Sequence, residues 1–150
     1  MEQKEAPSWE AYPDTILNIG DSPKLAIDLR QSISVETRRA VKEMGIGPAF
    51  AVITAYNPLG RDTDQEENLR RTDDFRRELE PLGAIVIPAD GVSPDGMHRE
   101  KGWVATIPLT QAKTLAKNYG QAAFFWFDGD QFWIMPALVQ AEPIALPVFS

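Results

Sequence analysis

The sequence predicts a single domain of the α+β class, α/β-like in its connections. It is expected to form one mixed β-sheet with about three helices packed on it, in the order ββαβαββαββ. Three observations carry this expectation. The run Phe50-Ala51-Val52-Ile53 is apolar on both alternations, which marks a strand covered on both faces. Asp128-Gly129-Asp130 stands between two aromatic runs and marks a hairpin. Segments of helical period, bounded by caps and glycines, separate the apolar runs. A chain of 150 residues with 43% hydrophobic and 25% charged residues can bury one core and has a globular composition.

The elements follow in order. Residues 1–8 are polar and read as a flexible N-terminal tail, residues 9–136 as the globular domain, and residues 137–150 as an extended Pro-rich arm. Thr15–Ile19 and Lys24–Leu29 alternate around Gly20-Asp21-Ser22-Pro23, a hairpin signal. Ser34 suits the N-cap of a helix over Val35–Met44, and Gly45 stops it. The strand Ala49–Ala55 is followed by a loop, Asn57–Asp62. Thr63 and Glu66 have capping-box spacing, so a helix is expected from there to about Leu79, with Leu69, Thr72, Phe75, Leu79 and Leu82 near one face. Ala84–Ile87 is a short strand stopped by Pro88. Residues 89–101 read as a long connection, because Asp90-Gly91 and Pro94-Asp95-Gly96 are turn signals. Trp103–Ile107 is a strand, Pro108–Tyr119 a helix closed by Gly120, and Ala122–Phe127 with Gln131–Met135 the aromatic hairpin. The strand–helix–strand crossovers imply parallel pairing somewhere in the sheet.

Composition excludes several function classes. The net charge is −7, and Arg61, Arg70, Arg71, Arg76 and Arg77 are interleaved with acids, so no nucleic-acid partner is expected. The same charge disfavours an anionic membrane surface, and no apolar run reaches the ~18 residues of a span. The N-terminal residues lack a basic region followed by an apolar segment, which points to a cytoplasmic protein. With no cysteine, thiolate catalysis, disulfides and Cys-ligated zinc are ruled out. Neither a phosphate-binding loop nor a dinucleotide fingerprint occurs, so the sequence names no cofactor. The spacing of Asp90, Asp95, His98 and Glu100 matches no metal motif, and no metal site is expected.

Polar groups at the end of a buried strand sit where open sheets commonly place ligands. If the strands Ala49–Ala55 and Ala84–Ile87 point the same way, one edge gathers Thr54, Tyr56, Asn57 and Arg61 with the loop carrying His98 and Glu100. Asn68 lies one turn into the following helix. His98 and Glu100 are the candidates for acid–base chemistry. Three readings stay open: a small-ligand pocket, a structural polar network, and an interaction surface. The interaction reading draws on the aromatic hairpin and the C-terminal arm, as a non-catalytic binding or regulatory module. The corresponding partners are a small molecule or a second copy of the chain.

Ile53-Thr54-Ala55-Tyr56-Asn57-Pro58 at the strand end, Asn68 with Arg70 or Arg71, Glu100 before a strand, and Gly120-Gln121-Ala122 before the hairpin together resemble a bacterial family, the domain of unknown function 3293. The resemblance runs from about Phe50 to Trp133. After the loop the chain has Glu100-Lys101-Gly102 where family members often have Glu-Pro-Ser. The resemblance implies no activity. It does add Arg71 and Gln121 to the ligand-binding candidates Thr54, Tyr56, Asn57, Arg61, Asn68 and Glu100. On the pocket reading, Glu100 and Arg71 are partly solvated and removable at little cost in stability, whereas Asn57 holds a turn and is not.

Overall fold

A computed structural model describes residues 12–21 and 25–148. The tail expected at 1–8 lies outside the described residues. The elements are β1 (Ile16–Ile19), β2 (Leu25–Asp28), α1 (Val35–Glu43), β3 (Phe50–Thr54), α2 (Gln65–Leu79), β4 (Val86–Val92), β5 (Arg99–Ala105), α3 (Leu109–Asn118), β6 (Ala123–Phe127), β7 (Phe132–Pro136) and β8 (Ile144–Ala145). The strands form one sheet in the order β2-β1-β4-β5-β3-β6-β7-β8. The fold is α+β, and no helix among the described residues is long and apolar enough to cross a membrane.

The expected mixed sheet is corrected: every strand pair is antiparallel. The crossovers do join strands of like direction, but those strands are not neighbours. α2 leads from β3 to β4, and β5 lies between them. α3 leads from β5 to β6, and β3 lies between them. Each crossover thus leaves a gap that an antiparallel strand fills. The C-terminal ends of β3 and β4 still open on the same edge.

Three local expectations also change. The connection expected over 89–101 is mostly ladder, because β4 runs on to Val92 and pairs with β5 from Arg99, leaving only Ser93–His98 as loop. Asp90-Gly91 is a turn signal in isolation, but here both residues pair across the sheet with Lys101 and Glu100. Asp64, not Thr63, is the N-cap residue of α2. The Thr63 N–H instead donates to Asn57 Oδ1 at 3.0 Å. The inner face of α2 is Asn68, Thr72, Phe75 and Leu79, while Leu69 and the downstream Leu82 are exposed. Ser34 does cap α1, accepting from the Thr37 N–H at 3.1 Å.

β3 is interior, as its two-sided apolar run predicts. Phe50 and Val52 enter one core with α1, β1 and β2, while Ala51 and Ile53 enter the other beneath α2 and α3. The aromatic hairpin divides the same way: Phe125 and Phe127 join the first core, Phe124 and Trp126 the second. The order gains one strand over expectation. β8, within the C-terminal segment, pairs with β7, and Leu146 beside it is buried in the first core.

Candidate functional site

The register of the central strands sets up a cavity. Thr54 lies opposite Gly102, Gly102 opposite Ala89, and Ala89 opposite Ile19. One step outward, Glu100 lies opposite Gly91, and Gly91 opposite Leu17. Residues opposite one another share a face, so this face is floored by Ala89, Gly91 and Gly102 where the next row inward carries Ile87, Val104 and Val52. Small side chains leave a hollow of about 560 Å³. Tyr12, Leu17, Val52 and Phe125 form its apolar wall, and Thr54, Asn57, His98 and Glu100 are among its polar lining. The Tyr12 and Phe125 rings stand 5.4 Å apart and tilted by 40°, and the Tyr12 hydroxyl donates to the Ala123 carbonyl at 3.2 Å.

Glu100 is the unusual group. Its carboxyl is held above the ordinary carboxylate range, first by burial and then by the negative charge of Asp62, with His98 opposing. Glu100 is half-buried, and among the described residues no hydrogen bond or ion pair to its carboxyl offsets that burial. The Tyr12 phenol is likewise pushed up, by burial and by the charge of Glu100. A raised carboxyl means that the folded chain binds a proton more readily than the unfolded one. The stability penalty is therefore absent below the ordinary carboxyl range and fully present once the pH passes the raised value. We expect Glu100→Gln to melt about 1–4 °C above the parent at neutral pH, the gain shrinking as the pH falls toward about 4. Equal or lower melting of the variant at neutral pH would contradict this.

Four of the eight ligand-binding candidates are turned away from the cavity and into a clasp. Asn57 and Asn68 bond reciprocally: the Asn57 N–H donates to Asn68 Oδ1 at 2.9 Å, and Asn68 Nδ2 donates to Asn57 Oδ1 at 3.0 Å and to the Thr63 carbonyl at 3.1 Å. Arg71 donates to the Ala55 carbonyl at 2.9 Å and the Tyr119 carbonyl at 2.6 Å, with its guanidinium 5.4 Å from the centre of the Tyr119 ring. Gln121, 4% exposed, donates to the carbonyls of Tyr56 and Tyr119. The buried Tyr56 accepts from Gln65 through its hydroxyl at 3.2 Å. The clasp ties the β3–α2 loop to the α3–β6 connection, where the Leu59 N–H also donates to the Gly120 carbonyl at 2.7 Å. It also holds two non-glycine residues in the left-handed region, Asn57 at φ 45° and Leu59 at φ 61°.

The structure thus brings Thr54, Asn57, His98 and Glu100 to the cavity, puts Tyr56, Asn68, Arg71 and Gln121 in the clasp, and leaves Arg61 exposed in neither. Asn57 serves both. The Thr54 hydroxyl donates to the Lys101 carbonyl at 2.6 Å and accepts from the Tyr56 N–H at 3.0 Å, so it fixes the strand end as it lines the hollow. The expectation that Arg71 is removable at little cost is corrected, because its donors satisfy two carbonyls of different loops. Asp90 points to the opposite face and pairs with Arg99 at 2.7 Å. Among the described residues, no three of His, Asp and Glu stand close enough to hold a metal ion.

Sequence reasoning missed the wall residues Tyr12 and Leu17 and the glycine-alanine floor. The signal was there: small residues at alternate positions, Ala89 and Gly91, followed by Gly102 and Ala123 on strands of the same sheet. It was hidden while 89–101 read as a loop. Comparison with curated proteins and with solved structures gives no match. Residues 53–124, which hold the C-terminal end of β3, the clasp and most of the cavity floor, match the family described as Protein of unknown function (DUF3293).

Proposed function

We propose that the cavity is a small-molecule binding site, with Glu100 meeting the polar end of the ligand and the Leu17–Val52–Phe125 wall its apolar body. The observation that carries the reading is Glu100 itself, a carboxylate partly withdrawn from water, without a hydrogen-bond or ion-pair partner among the described residues, beside the apolar wall of a small-floored hollow. Protein stability gains nothing from that arrangement, and such groups gather at functional sites. A volume near 560 Å³ lies in the range of small-ligand sites. His98, on the rim, brings a second proton-carrying group to the same opening, so acid–base chemistry is open to the site.

The interaction-module reading drew on the aromatic hairpin. Its side chains Phe124, Phe125, Phe127 and Phe132 are buried within the domain, so on the hairpin that reading rests on the half-buried Trp126 and Trp133, beside the C-terminal arm.

The test fills the hollow. A Cβ at Gly91 meets only the Thr15 methyl, at 3.5 Å, an ordinary contact, so a larger side chain there grows into the cavity rather than into backbone. Fragments of roughly 8–12 heavy atoms, screened by ligand-observed NMR, are expected to bind the parent and to be lost in Gly91→Leu. Should Gly91→Leu fail to fold, Gly91→Ala is expected to weaken the same fragments while melting slightly above the parent. Retention of the same fragments in a folded Gly91→Leu would place binding elsewhere and defeat the reading.

A further inference from the structure

We propose that the ligand of this cavity is an organic cation: an amine of one positive charge on a compact, flat apolar body. The proposal rests on the pocket reading above and adds the sign of the charge. Three observations converge on it.

The first is the balance of charge at the opening. Glu100 from β5 and Asp14 from the turn before β1 are both in the lining, and Asp62 in the loop after β3 is near enough to oppose ionisation of Glu100. The basic side chains at the same opening are His98, exposed on the rim, and Arg99. Arg99 is already committed to Asp90 at 2.7 Å, which leaves its charge largely balanced.

The second is what the carboxylate lacks. A partly desolvated anion without a counter-ion gains most from a ligand that supplies one. A neutral ligand leaves it unpaired, and an anion adds like-charge repulsion from Glu100, Asp14 and Asp62.

The third is the wall. Tyr12 and Phe125 present tilted aromatic rings 5.4 Å apart. Ring faces attract cations, and their apolar area accepts a flat body. The net charge of −7 also raises the local concentration of cations over anions.

The test compares three probes of nearly equal size by calorimetry or protein-observed NMR: phenethylammonium, 2-phenylethanol and phenylacetate. Phenethylammonium is expected to bind at least about tenfold more tightly than either of the others. Glu100→Gln is expected to remove that margin while leaving 2-phenylethanol unchanged, which separates lost charge from lost shape. Lowering the pH from about 7 to about 4 is expected to weaken the ammonium in the parent more than in Glu100→Gln, where Asp14, Asp62 and His98 still face the opening but the Glu100 carboxylate is gone. Equal affinity for the alcohol, or tighter binding of phenylacetate, would overturn the charge assignment and leave the pocket standing. Failure of all three probes, together with an empty fragment screen, would overturn the pocket as well.

Discussion

Asn68→Ala is expected to lower the melting temperature by about 5–12 °C, on the basis of roughly 2–4 kcal/mol lost at a domain of this size. Asn68 is 3% exposed, and its amide is the centre of the clasp. Removing it strands the Asn57 N–H, leaves the Thr63 carbonyl without its amide donor, and takes one donor from Asn57 Oδ1. Asn57 and Thr63 are half-buried beside the buried Asn68, so water replaces these bonds only in part. The same loop carries left-handed Asn57 and Leu59, whose conformations persist only while their surroundings hold them. Relaxation of that strain should move Asn57 out of the cavity lining. Gln65→Ala is the comparison, since it removes a single bond to the Tyr56 hydroxyl, and its melt should stay within about 2 °C of the parent. If Asn68→Ala melts as high as Gln65→Ala, the amide is not the brace.

The polar residues at the end of β3 were legible in the sequence as a group, but their roles were not. Asn68 and Arg71 sit on the inner face of α2, and a helical wheel cannot say whether that face looks into a hollow or onto loop carbonyls. The answer depends on where the α3–β6 connection lands, a contact between residues far apart in the chain: Arg71 with Tyr119, and Gln121 with Tyr56. The two-sided apolar run of β3 was readable because burial on both faces leaves its mark on every residue. Strand adjacency was not, because alternation fixes the face of a residue and says nothing of which strand lies beside it. The cavity was hidden for a third reason. Asp90-Gly91 is a turn signal locally, and only the ladder with Lys101 and Glu100 overrides it. Once β4 is known to continue to Val92, Glu100 has a defined neighbour in Gly91 and a defined face.

Gly102→Ala is expected to be the most damaging small substitution at the site, lowering stability by about 3 kcal/mol or more and the melting temperature by about 6–12 °C. A Cβ at this position would stand 2.7 Å from the Ile53 carbonyl oxygen and 3.2 Å from the Ala89 carbonyl oxygen. Both are backbone atoms of the strands flanking β5, and neither can swing aside as a side chain could. One methyl would therefore have to part β3 from β5 or β5 from β4, in the centre of the sheet and under the cavity floor. The sign is informative, because alanine in place of a strand glycine ordinarily stabilises by about 0.4–1 kcal/mol through the unfolded state. Gly91→Ala, on the same floor with only the Thr15 methyl at 3.5 Å, should follow that ordinary rule. Two glycines on one face are thus expected to respond in opposite directions, and thermal melts of both variants decide it. If Gly102→Ala also melted at or above the parent, the three strands would not approach as closely as the register requires. Glu100 would then lose the fixed position beside Gly91 on which the binding site depends.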